Sequence, residues 1–370
     1  MIKLIDLSFY ASNECNDMHA LIKQHEPALS YIEHIKQHIN IQVIKHLDTE
    51  TTQVVNAVKY SGFKSRNNFW HIPNKTLNYI RHEDPYIVIV QGLVFPLQLI
   101  RLHKKLGKEK IILVQHHGEL PYKGYRKWLQ RMADRFVKGY LFTSIENAEP
   151  WISNGIIGNR NKCFELLEAS TNFKRQDKLI ARQQLDFRGE YNFLWVGRLN
   201  AGKDPLTVIK AFELFSTEQP GARLYMVYHT EEFLPEIKKI MEHNNSLAQK
   251  IILKGSMPHE ELERWYNAAD FYISGSHHES TGYTLLEAMA CGCIPVVTNI
   301  PSFNKLTANG KYGMLYEPGD WAGLTKLLKD LHKADRYQLA NDISTHFQQQ
   351  LSSRSIAAGL YAICKKLAEK

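Results

Sequence analysis

The sequence of 370 residues is long enough for two domains of about 100–200 residues each. Apolar residues make up 44% and charged residues 23%, values that exclude a disordered chain, a collagen and a disulfide scaffold. The net charge of +8 is confined to residues 101–140, where eleven basic residues stand against three acidic ones. The basicity is therefore a local patch that needs a local explanation.

Nothing in the sequence predicts a secretory leader or a membrane span. Residues 1–9 contain charged side chains and are followed by no small-residue cleavage site. The most apolar stretch, residues 86–100, is short and interrupted, whereas a spanning helix needs about 20 apolar residues. The five cysteines are an odd number at spacings that match no zinc or haem site, and they predict free thiols. We therefore expect a cytoplasmic protein.

Strand-like runs alternate with helical patterns along the first half of the chain, as in a parallel sheet covered by helices. The predicted strands are Ile2–Phe9, Ile41–Leu47, Tyr86–Gln91, Lys110–His116, Tyr140–Thr143 and Lys162–Leu167. The predicted helices are His19–His38, Pro96–Leu106, Tyr125–Lys138 and Asn147–Ser153. Together they predict a first domain over residues 1–172, followed by a charged linker over residues 173–190.

The second half repeats the alternation over residues 191–352. Its predicted strands are Asn192–Val196, Arg223–Tyr228, Lys250–Lys254, Phe271–Ser274 and Ile294–Thr298. Its predicted helices are Asp204–Phe215, Glu232–Met241, His259–Ala268, Tyr283–Ala290 and Trp321–His332, and a last helical run covers Ser353–Lys370. The fold class is therefore α/β, with two doubly wound, Rossmann-like parallel-sheet domains facing a cleft, which is the expected binding site.

A loop after the first strand of the second half carries two cations, Arg198 and Lys203. The segment lacks the G-x-G-x-x-G pattern of dinucleotide-binding folds. Asp204 stands where a phosphate loop needs a hydroxyl, so that motif fails too. Two cations at the carboxyl end of a strand, beside helix amides, suit a diphosphate. The alternative is a solvated basic loop with Asp204 as the helix N-cap.

Two carboxylates stand eight positions apart in the segment 274–292. Glu279 lies in a predicted loop and Glu287 lies near the start of the predicted helix. Backbone amides around Gly282–Thr284 open that helix, where its dipole favours an anion by about 0.3–2 kcal/mol. The alternative is that Glu287 only partners the helix dipole and that the loop is merely polar.

These segments resemble the retaining glycosyltransferases of family 4, which have the GT-B fold. Residues 279–287 are similar to their E-x7-E motif, and residues 196–204 to their G-R-L…K-[GD] element. Residues 254–270 and 290–297 resemble the stretches before and after the motif. The resemblance covers about residues 191–321 and is weak over the first half of the chain.

The resemblance implies that this half binds a nucleotide-diphosphate sugar as donor. Arg198 and Lys203 would neutralise the diphosphate. Glu279 would contact the donor sugar near its reacting carbon, and Glu287 would hold the ribose hydroxyls. The remaining implied donor-binding residues are Gly197, the nucleobase loop Gly255, Ser256 and Met257, and the loop Ser280, Thr281, Gly282, Tyr283 and Thr284.

In the first half, the resemblance implies a histidine that reaches the donor sugar from the end of a strand. His117, before Gly118, is the match, and His116 is the alternative; a histidine packed in the core is the third possibility. The resemblance also implies that the last helical run, residues 353–370, returns to the first domain.

Charge develops on the leaving diphosphate when the sugar bond breaks, and fixed cations can stabilise that charge. The chain has no D-x-D sequence, so we expect no metal and no other cofactor. The resemblance implies a retaining transfer to a hydroxyl of a glycan or lipid-linked acceptor, in surface polysaccharide or glycolipid biosynthesis. The acceptor would attack from the face that the phosphate leaves.

Two departures from the family pattern concern the first half. No glycine pair follows the first strand in Ser8–Asp17, and residues 168–171, beginning with Glu168, replace the usual Asn-Gly. Of the properties that the resemblance implies, acceptor binding is therefore the one that this sequence supports least. The alternative function is a catalytically inactive nucleotide-sugar-binding subunit of a glycosyltransferase complex, which would bind the donor without turnover.

The basic patch at 101–140 contains a predicted amphipathic helix. Its apolar stripe, expected to face the core, consists of Tyr125, Trp128, Leu129, Met132 and Phe136. The patch is either the solvated face of this helix or a surface that meets anionic lipid at the inner face of the membrane. Each basic residue would add about 1 kcal/mol to the lipid interaction. No nucleic-acid-binding module is recognised, so nucleic acid is not an expected partner.

Overall fold

The computed structural model describes residues 2–11, 17–65, 68–185 and 187–369. The chain folds into two compact units, the first made of residues 1–170 and 353–370 and the second of residues 171–352. Each unit is built on its own, mainly parallel sheet whose strands alternate with helices. The predicted α/β class with two doubly wound parallel-sheet domains is confirmed.

The sheet of the first unit has eight strands. They are β1 (Ile2–Ala11), β2 (Ile39–Leu47), β3 (Thr51–Val55), β4 (Val58–Lys64), β5 (Ile87–Gln91), β6 (Ile111–Gln115), β7 (Gly139–Phe142) and β8 (Cys163–Glu165). Their order is β3-β4-β2-β1-β5-β6-β7-β8, and every pair is parallel except the hairpin β3–β4. Asn56 and Ala57, both at positive φ, form the two-residue turn of that hairpin. The sequence analysis did not predict β3 or β4.

Helices of the first unit connect these strands. They are α1 (Met18–Gln24), α2 (Glu26–Leu29), α3 (Ile32–Ile35), α4 (Asn74–Glu83), α5 (Pro96–Leu106), α6 (Gly124–Asp134) and α7 (Glu149–Ser153). The helix predicted over residues 19–38 is three short helices. Pro27 stands in the first turn of α2, where its missing N–H is tolerated, but it cannot continue α1.

The sheet of the second unit has six strands. They are β9 (Tyr191–Gly197), β10 (Ala222–Tyr228), β11 (Ile251–Gly255), β12 (Phe271–Ser274), β13 (Ile294–Thr298) and β14 (Met314–Tyr316). Their order is β11-β10-β9-β12-β13-β14, and all pairs are parallel. After β9 the chain forms β10 and β11 on one side of that strand, and it then returns to form β12 on the other side. The switch point therefore lies between β9 and β12, where ligands bind in such sheets.

Nine α-helices of the described residues belong to the second unit. They are α8 (Lys178–Leu185), α9 (Pro205–Glu218), α10 (Leu234–His243), α11 (Asn245–Ala248), α12 (His259–Ala268), α13 (Tyr283–Ala290), α14 (Pro301–Leu306), α15 (Trp321–Lys329) and α16 (Arg336–His346). The last helix, α17 (Ser353–Ala368), packs against α3 in the first unit. There Tyr361 lies 5.1 Å from the ring of His38.

Residues 173–190, predicted as a linker, lie inside the second unit and contain α8. Arg182 donates to the carbonyl of Ala268 at 2.9 Å and pairs with Asp270 at 2.7 Å. Burial alone would raise the pKa of Asp270, but the charges of Lys178 and Arg182 hold it below its ordinary value. The charges of this segment therefore anchor it to the second sheet, because they neutralise a buried carboxylate.

Within the described ranges, no helix combines the length and the apolar character needed to cross a bilayer.

Candidate active site

Two loops of the second unit meet at the switch point of the sheet. Strands β9 and β12 are neighbours, so the segments that follow them start side by side. The backbone N–H of His277 donates to the carbonyl of Gly202 at 2.9 Å. A Cβ at Gly275 would lie 2.5 Å from the carbonyl oxygen of Asp204, so only glycine permits this approach. His277 also contacts the carboxylate of Asp204 at 3.0 Å, and the two loops form one surface.

Lys203 and Glu279, predicted from separate motifs, form an ion pair on this surface. The backbone N–H of Lys203 donates to the side-chain oxygen of Asn200 at 3.1 Å, which fixes the loop that presents the ammonium. Arg198, two positions before Asn200, is exposed and forms no ion pair within the described part of the chain. Gly197 ends β9 immediately before it. The structure thus brings Arg198, Lys203 and Glu279 to the same end of the sheet.

Glu287 lies one turn inside α13 and is buried. Its carboxylate contacts Nε2 of His259 at 2.6 Å and accepts a hydrogen bond from the hydroxyl of Tyr266 at 2.9 Å. Burial, together with the charge of Glu287, keeps the pKa of Tyr266 well above its ordinary value, so this hydroxyl remains a donor. The interpretation of Glu287 as a helix-dipole partner is wrong, because the first turn of α13 holds no acidic residue.

The sequence analysis missed His259 and Tyr266 as site residues. They stand seven positions apart on α12, and residues at that spacing share one helix face. His259 stacks on the ring of Phe173 at 5.0 Å. The spacing could have predicted that the two side chains lie on the same face, but it could not have identified Glu287 as their shared partner.

The segment from Ser280 to Thr284 leads into α13. Gly282 has φ +84 at the N-cap, and a Cβ there would lie 2.6 Å from Phe303. The hydroxyl of Thr284 contacts that of Tyr272 at 2.6 Å. Glycine is therefore required at the position where the helix begins.

The other members of this segment differ in their exposure. Thr281 is buried, Ser280 is half-buried and Tyr283 is exposed. The segment places all five predicted loop residues at the N-terminal end of α13.

The predicted nucleobase loop follows β11, which is separated from β9 by one strand. Gly255 has φ +69, with nothing within 4 Å of the place where a Cβ would lie. Ser256 is exposed and Met257 is half-buried. Apart from Glu287 on α13, the predicted donor residues thus lie at the ends of β9 and β11 and in the segment that runs from β12 into α13.

In the first unit, His117 follows β6. Its Nδ1 forms an ion pair with Glu168, and its Nε2 contacts Oε1 of Gln91 at 2.7 Å. Burial would lower the pKa of His117, but the hydrogen bond and charge of Glu168, with the charge of Glu119, raise it above the ordinary value. Glu168 was noted only as a departure from the family pattern, and the structure makes it the partner of the candidate histidine.

His116 lies in the core. Its ring is 5.0 Å from Phe142 and 6.1 Å from Trp151, and its Nε2 contacts the carbonyl of Glu119 at 3.1 Å. Burial lowers the pKa of His116. Only 3% of its side chain is exposed, against 26% for His117, so His117 is the more accessible of the two.

Glu119 links His117 to a tyrosine that the sequence analysis did not select. One carboxylate oxygen of Glu119 accepts the backbone N–H of His117 at 2.7 Å. The other accepts the hydroxyl of Tyr10 at 2.8 Å and the N–H of Leu93 at 3.1 Å. Burial, and then Glu119, raises the pKa of Tyr10. Tyr10 and His117 are therefore held by the same carboxylate.

The described residues were compared with the requirements of a metal site and of a disulfide. No group of three or more His, Cys, Asp or Glu side chains there could hold a metal ion. Cys163, Cys291, Cys293 and Cys364 are free, and burial raises the pKa of Cys293 and Cys364 to about 12. Cys15 lies outside the described residues.

The stripe predicted to face the core from α6 does not do so throughout. Tyr125 and Trp128 are each 58% exposed. Tyr125 stacks on Trp70 at 6.1 Å, and Arg126 lies 4.5 Å from the centre of the Phe69 ring. The first turn of α6 therefore belongs to a surface patch of aromatic and basic side chains, because its aromatic partners are themselves near the surface.

Comparisons with known proteins concern the sequence of the second unit and the fold of the chain. Residues 177–349 match the family model described as glycosyl transferases group 1. The match falls within the second unit, residues 171–352. It contains the candidate residues Arg198, Lys203, Glu279 and Glu287. The predicted resemblance to glycosyltransferases is confirmed at this level, and the assignment to family 4 stays a prediction.

Relatives and solved structures extend the comparison. A D-inositol 3-phosphate glycosyltransferase of Thermobispora bispora is 27% identical over 170 residues, which cover 43% of this chain and 40% of the relative. The chain thus spans about two fifths of the length of this relative and of a second one, from Paenarthrobacter aurescens. Sucrose-phosphate synthase from Thermosynechococcus elongatus aligns with a TM-score of 0.72 at 15% identity, covering 99% of both chains.

HepE from Anabaena, solved in complex with UDP, also aligns with a TM-score of 0.72. It is 14% identical, and the alignment covers 99% of this chain and 100% of HepE. At such identities, these likenesses establish the fold alone. The predicted GT-B fold is confirmed.

Proposed function

We propose that this chain is a retaining, metal-independent glycosyltransferase that moves a sugar from a nucleotide-diphosphate sugar to a hydroxyl group. The observation that carries the proposal is the Lys203–Glu279 ion pair, with Arg198 nearby, at the switch point of a glycosyltransferase domain. The bond to be broken joins the sugar to the diphosphate. The cations suit the diphosphate end of this bond, and the carboxylate suits the sugar end.

The donor is held by residues of the second unit. Arg198 and Lys203 bind the diphosphate and stabilise the charge that develops as the sugar leaves, which is where fixed cations accelerate a reaction most. Glu287 accepts the ribose hydroxyls through lone pairs not used by His259 and Tyr266, since a carboxylate has about four acceptor sites. The remaining donor contacts come from Gly197, the loop 255–257 and the loop 280–284.

Glu279 positions the donor sugar rather than attacking it. Its ion pair with Lys203 engages the carboxylate, which lowers its reactivity as a nucleophile. The acceptor hydroxyl therefore attacks the sugar carbon from the face that the phosphate leaves. Its proton passes to the departing phosphate oxygen, which balances the reaction without a metal or an enzymic base.

His117 donates a hydrogen bond to a donor-sugar hydroxyl. Glu168 supports the protonated ring from Nδ1, so Nε2 is the nitrogen that meets the sugar. In the ligand-free chain, Nε2 contacts Oε1 of Gln91. A sugar hydroxyl replaces that oxygen when the donor binds.

The acceptor is a glycan or a lipid-linked sugar, with the enzyme acting in surface polysaccharide or glycolipid biosynthesis. The relative from Thermobispora bispora is named for D-inositol 3-phosphate, a ring compound with hydroxyl groups. The exposed side chains Trp70, Leu120, Tyr125 and Trp128 lie in or near the basic stretch 101–140. Aromatic rings and cations together suit an anionic bilayer surface, so we place the protein at the cytoplasmic face of a membrane.

A donor screen followed by turnover tests the proposal. UDP sugars come first, because HepE was solved with UDP, and GDP and ADP sugars follow. A donor at 100 times its dissociation constant stabilises the fold by about 2.7 kcal/mol, which a thermal shift detects. We expect transfer or slow hydrolysis of the stabilising donor in buffer with EDTA. Donor affinity without turnover under any acceptor would instead identify a catalytically inactive donor-binding subunit.

A further inference from the structure

Strand β1 of the first unit carries a carboxylate that neither the proposed donor site nor the apolar core explains. Asp6 lies in the middle of this strand, is 1% exposed and has apolar residues on either side of it in the sequence. A buried carboxylate costs free energy unless hydrogen bonds satisfy it. The partners of Asp6 therefore indicate what this residue does.

Asp6 accepts two hydrogen bonds on one carboxylate oxygen. The hydroxyl of Tyr31 donates to Oδ2 at 2.6 Å, and the side-chain nitrogen of Gln91 donates to the same oxygen at 2.9 Å. In the parallel pair β1–β5, Ser8 is the partner of Gln91, and Asp6 stands two positions before Ser8 on the same face of the sheet. Burial, and then the charge of Asp6, keeps the pKa of Tyr31 well above its ordinary value, so this hydroxyl remains a donor.

The contact with Asp6 fixes which end of the Gln91 amide faces His117. A flipped amide would place the oxygen of Gln91 against the carboxylate of Asp6, and both of these groups are acceptors. The amide nitrogen therefore stays with Asp6, and the oxygen, Oε1, faces Nε2 of His117 at 2.7 Å. Since Oε1 can only accept a hydrogen bond, Nε2 must carry a proton.

The other ring nitrogen of His117 also faces an acceptor. Its Nδ1 forms the ion pair with the carboxylate of Glu168. With an acceptor at each nitrogen, the ring is fully satisfied only when Nδ1 and Nε2 are both protonated. A neutral ring that donates to Glu168 would leave the lone pair of Nε2 against the oxygen of Gln91.

We propose that Asp6 is a positioning residue that acts through Gln91 to keep both ring nitrogens of His117 protonated. The inference rests on the proposed function, in which Nε2 of His117 donates to a hydroxyl of the donor sugar. An amide free to turn over would satisfy a neutral ring equally well, and Nε2 would then meet the sugar as an acceptor. Asp6 thus selects the donor form of the ring before any ligand binds.

Other ionisable groups act on the protonation of the same ring. They are Glu168 and Glu119, which favour the protonated form, Lys45, which opposes it, and the two histidines His25 and His116. Burial lowers the pKa of Lys45, and the charge of Asp6 partly opposes this effect. An electrostatic route from Asp6 to His117 by way of Lys45 therefore has to be separated from the route through Gln91.

Asp6→Asn tests the proposal on the full chain with a side chain of nearly the same shape. The Asn nitrogen can donate to the oxygen of Gln91, so the Gln91 amide turns over and offers an N–H to a neutral His117. NMR of isotope-labelled histidine rings follows the titration, and loss of a signal in His117→Asn assigns it. We expect Asp6→Asn to lower the pKa of His117 and to convert Nε2 from a donor into an acceptor.

Gln91→Met shows which route Asp6 uses. It removes the acceptor of Nε2 and should by itself lower the pKa of His117. When Gln91→Met is already present, Asp6→Asn should cause no further change, because the route through the amide is cut. An equal fall caused by Asp6→Asn with and without Gln91, or an unchanged pKa in either single variant, overturns the inference. If Asp6→Asn fails to fold, Gln91→Met decides alone.

The matched control is Gln42→Met, which changes a buried glutamine of the same unit that bonds to Ser61 and Tyr79. It should leave the titration of His117 unchanged. A fall in the control as large as that in Gln91→Met would mean that any buried substitution disturbs the ring, and it would overturn the inference as well.

Transfer kinetics on the same variants separate this inference from the proposed function. In Asp6→Asn, the alkaline limb of the pH profile of kcat/KM should move to lower pH together with the pKa of His117. On that limb, kcat/KM should fall at least about tenfold, the effect of losing one hydrogen bond to a charged group. A chain that transfers sugar while Asp6→Asn leaves His117 unchanged loses this inference and keeps the proposed function. A chain in which His117 titrates as expected, but which turns over no donor, loses the proposed function alone.

Discussion

Lys203 illustrates how single residues of the site depend on distant parts of the chain. Its ammonium pairs with Glu279, and its loop is held against the loop after β12 through Gly202 and His277. Substituting Lys203 therefore removes a cation from the proposed diphosphate site and leaves Glu279 without its partner. Arg198 has no such partner within the described chain, so its substitution removes charge alone.

We expect Lys203→Ala and Arg198→Ala to fold normally and to lower kcat/KM for transfer at least about tenfold. Loss of a charge-assisted contact to the leaving group has this scale or a larger one. Steady-state kinetics with the donor found in the screen measure the effect. Lys238→Ala, an exposed lysine on α10, is the control and should retain full activity. Full turnover in both site variants would refute the assignment of the diphosphate cations.

His117 makes a prediction about pH. Its pKa is raised in the folded chain, so its protonated form contributes stability that is complete below the ordinary histidine pKa of about 6.5 and is lost as the pH rises through the folded value. Histidines whose pKa is lowered in the folded chain, such as His25, His46 and His116, change the free energy of unfolding only below about pH 6.5. Buried thiols change it only above about pH 8.5. Between these two pH limits, the effect of His117 on stability can be observed separately from that of the other groups.

We expect the free energy of unfolding of the first unit to fall between about pH 6.5 and 8 in the wild type. Glu168→Gln removes the charge that raises the pKa of His117 and should flatten this slope. Urea unfolding monitored by hydrogen exchange in peptides of the first unit measures both chains. Parallel slopes in the two proteins would show that Glu168 does not raise the pKa of His117.

At the residue scale, motif spacing predicted which side chains carry charge at the site but not what holds them. Glu279 and Lys203 were assigned from separate motifs, and the sheet order brings them together. The partners of Glu287, His259 and Tyr266, come from another helix, and a spacing within one segment cannot identify them. The same holds for Glu168, which reaches His117 from the segment after β8.

At the scale of elements, strong local signals fixed the boundaries. Strands β12 and β13 and helices α5, α12 and α13 begin and end at the predicted residues. Pro96 opens α5 and Gly107 follows its end, while α13 lies between Gly282 and Gly292. The hairpin β3–β4 was missed because β3 alternates half-buried and exposed residues and has no apolar face to recognise. The face of α6 was misjudged because periodicity does not reveal whether a partner covers the first turn.

The exposed first turn of α6 leads to a prediction about lipid. We expect more of the protein to float with anionic vesicles than with neutral ones at low salt, and the difference to shrink as salt screens the charges. Trp128→Ala and Tyr125→Ala should reduce the recovered fraction, because each removes an exposed aromatic side chain. Leu179→Ala, at a side chain 69% exposed in the second unit, is the control. Equal recovery with both vesicle types would remove the lipid surface from the proposed function.

At the scale of the whole molecule, the first unit is discontinuous in sequence. Helix α17 contributes the buried side chains Ile356, Leu360 and Cys364 to it, although all of the second unit lies between them and residue 170. Composition and periodicity predicted two alternating halves. They could not assign α17 to either half, because an amphipathic helix fits any open apolar surface. The return of α17 was predicted only through the family resemblance.

We expect Leu360→Ala to destabilise the first unit by about 2–5 kcal/mol, the range for large-to-small substitutions in a core. Peptides of residues 2–11 and 17–65 should exchange their amide hydrogens faster, while peptides of the second unit remain protected. Leu328→Ala, buried in α15, should give the opposite pattern. Faster exchange limited to the second unit in Leu360→Ala would contradict the assignment of α17.

The position of α17 also governs the order of events during protein synthesis. The ribosome delivers residues 1–170 first, but the helix that packs against α3 is translated only after the entire second unit. The unit that starts first is thus completed last, in contrast to the usual N-terminal-first folding of nascent chains. Until α17 arrives, the nascent first unit exposes the apolar surface that α17 later covers. During this interval, a chaperone could bind that apolar surface.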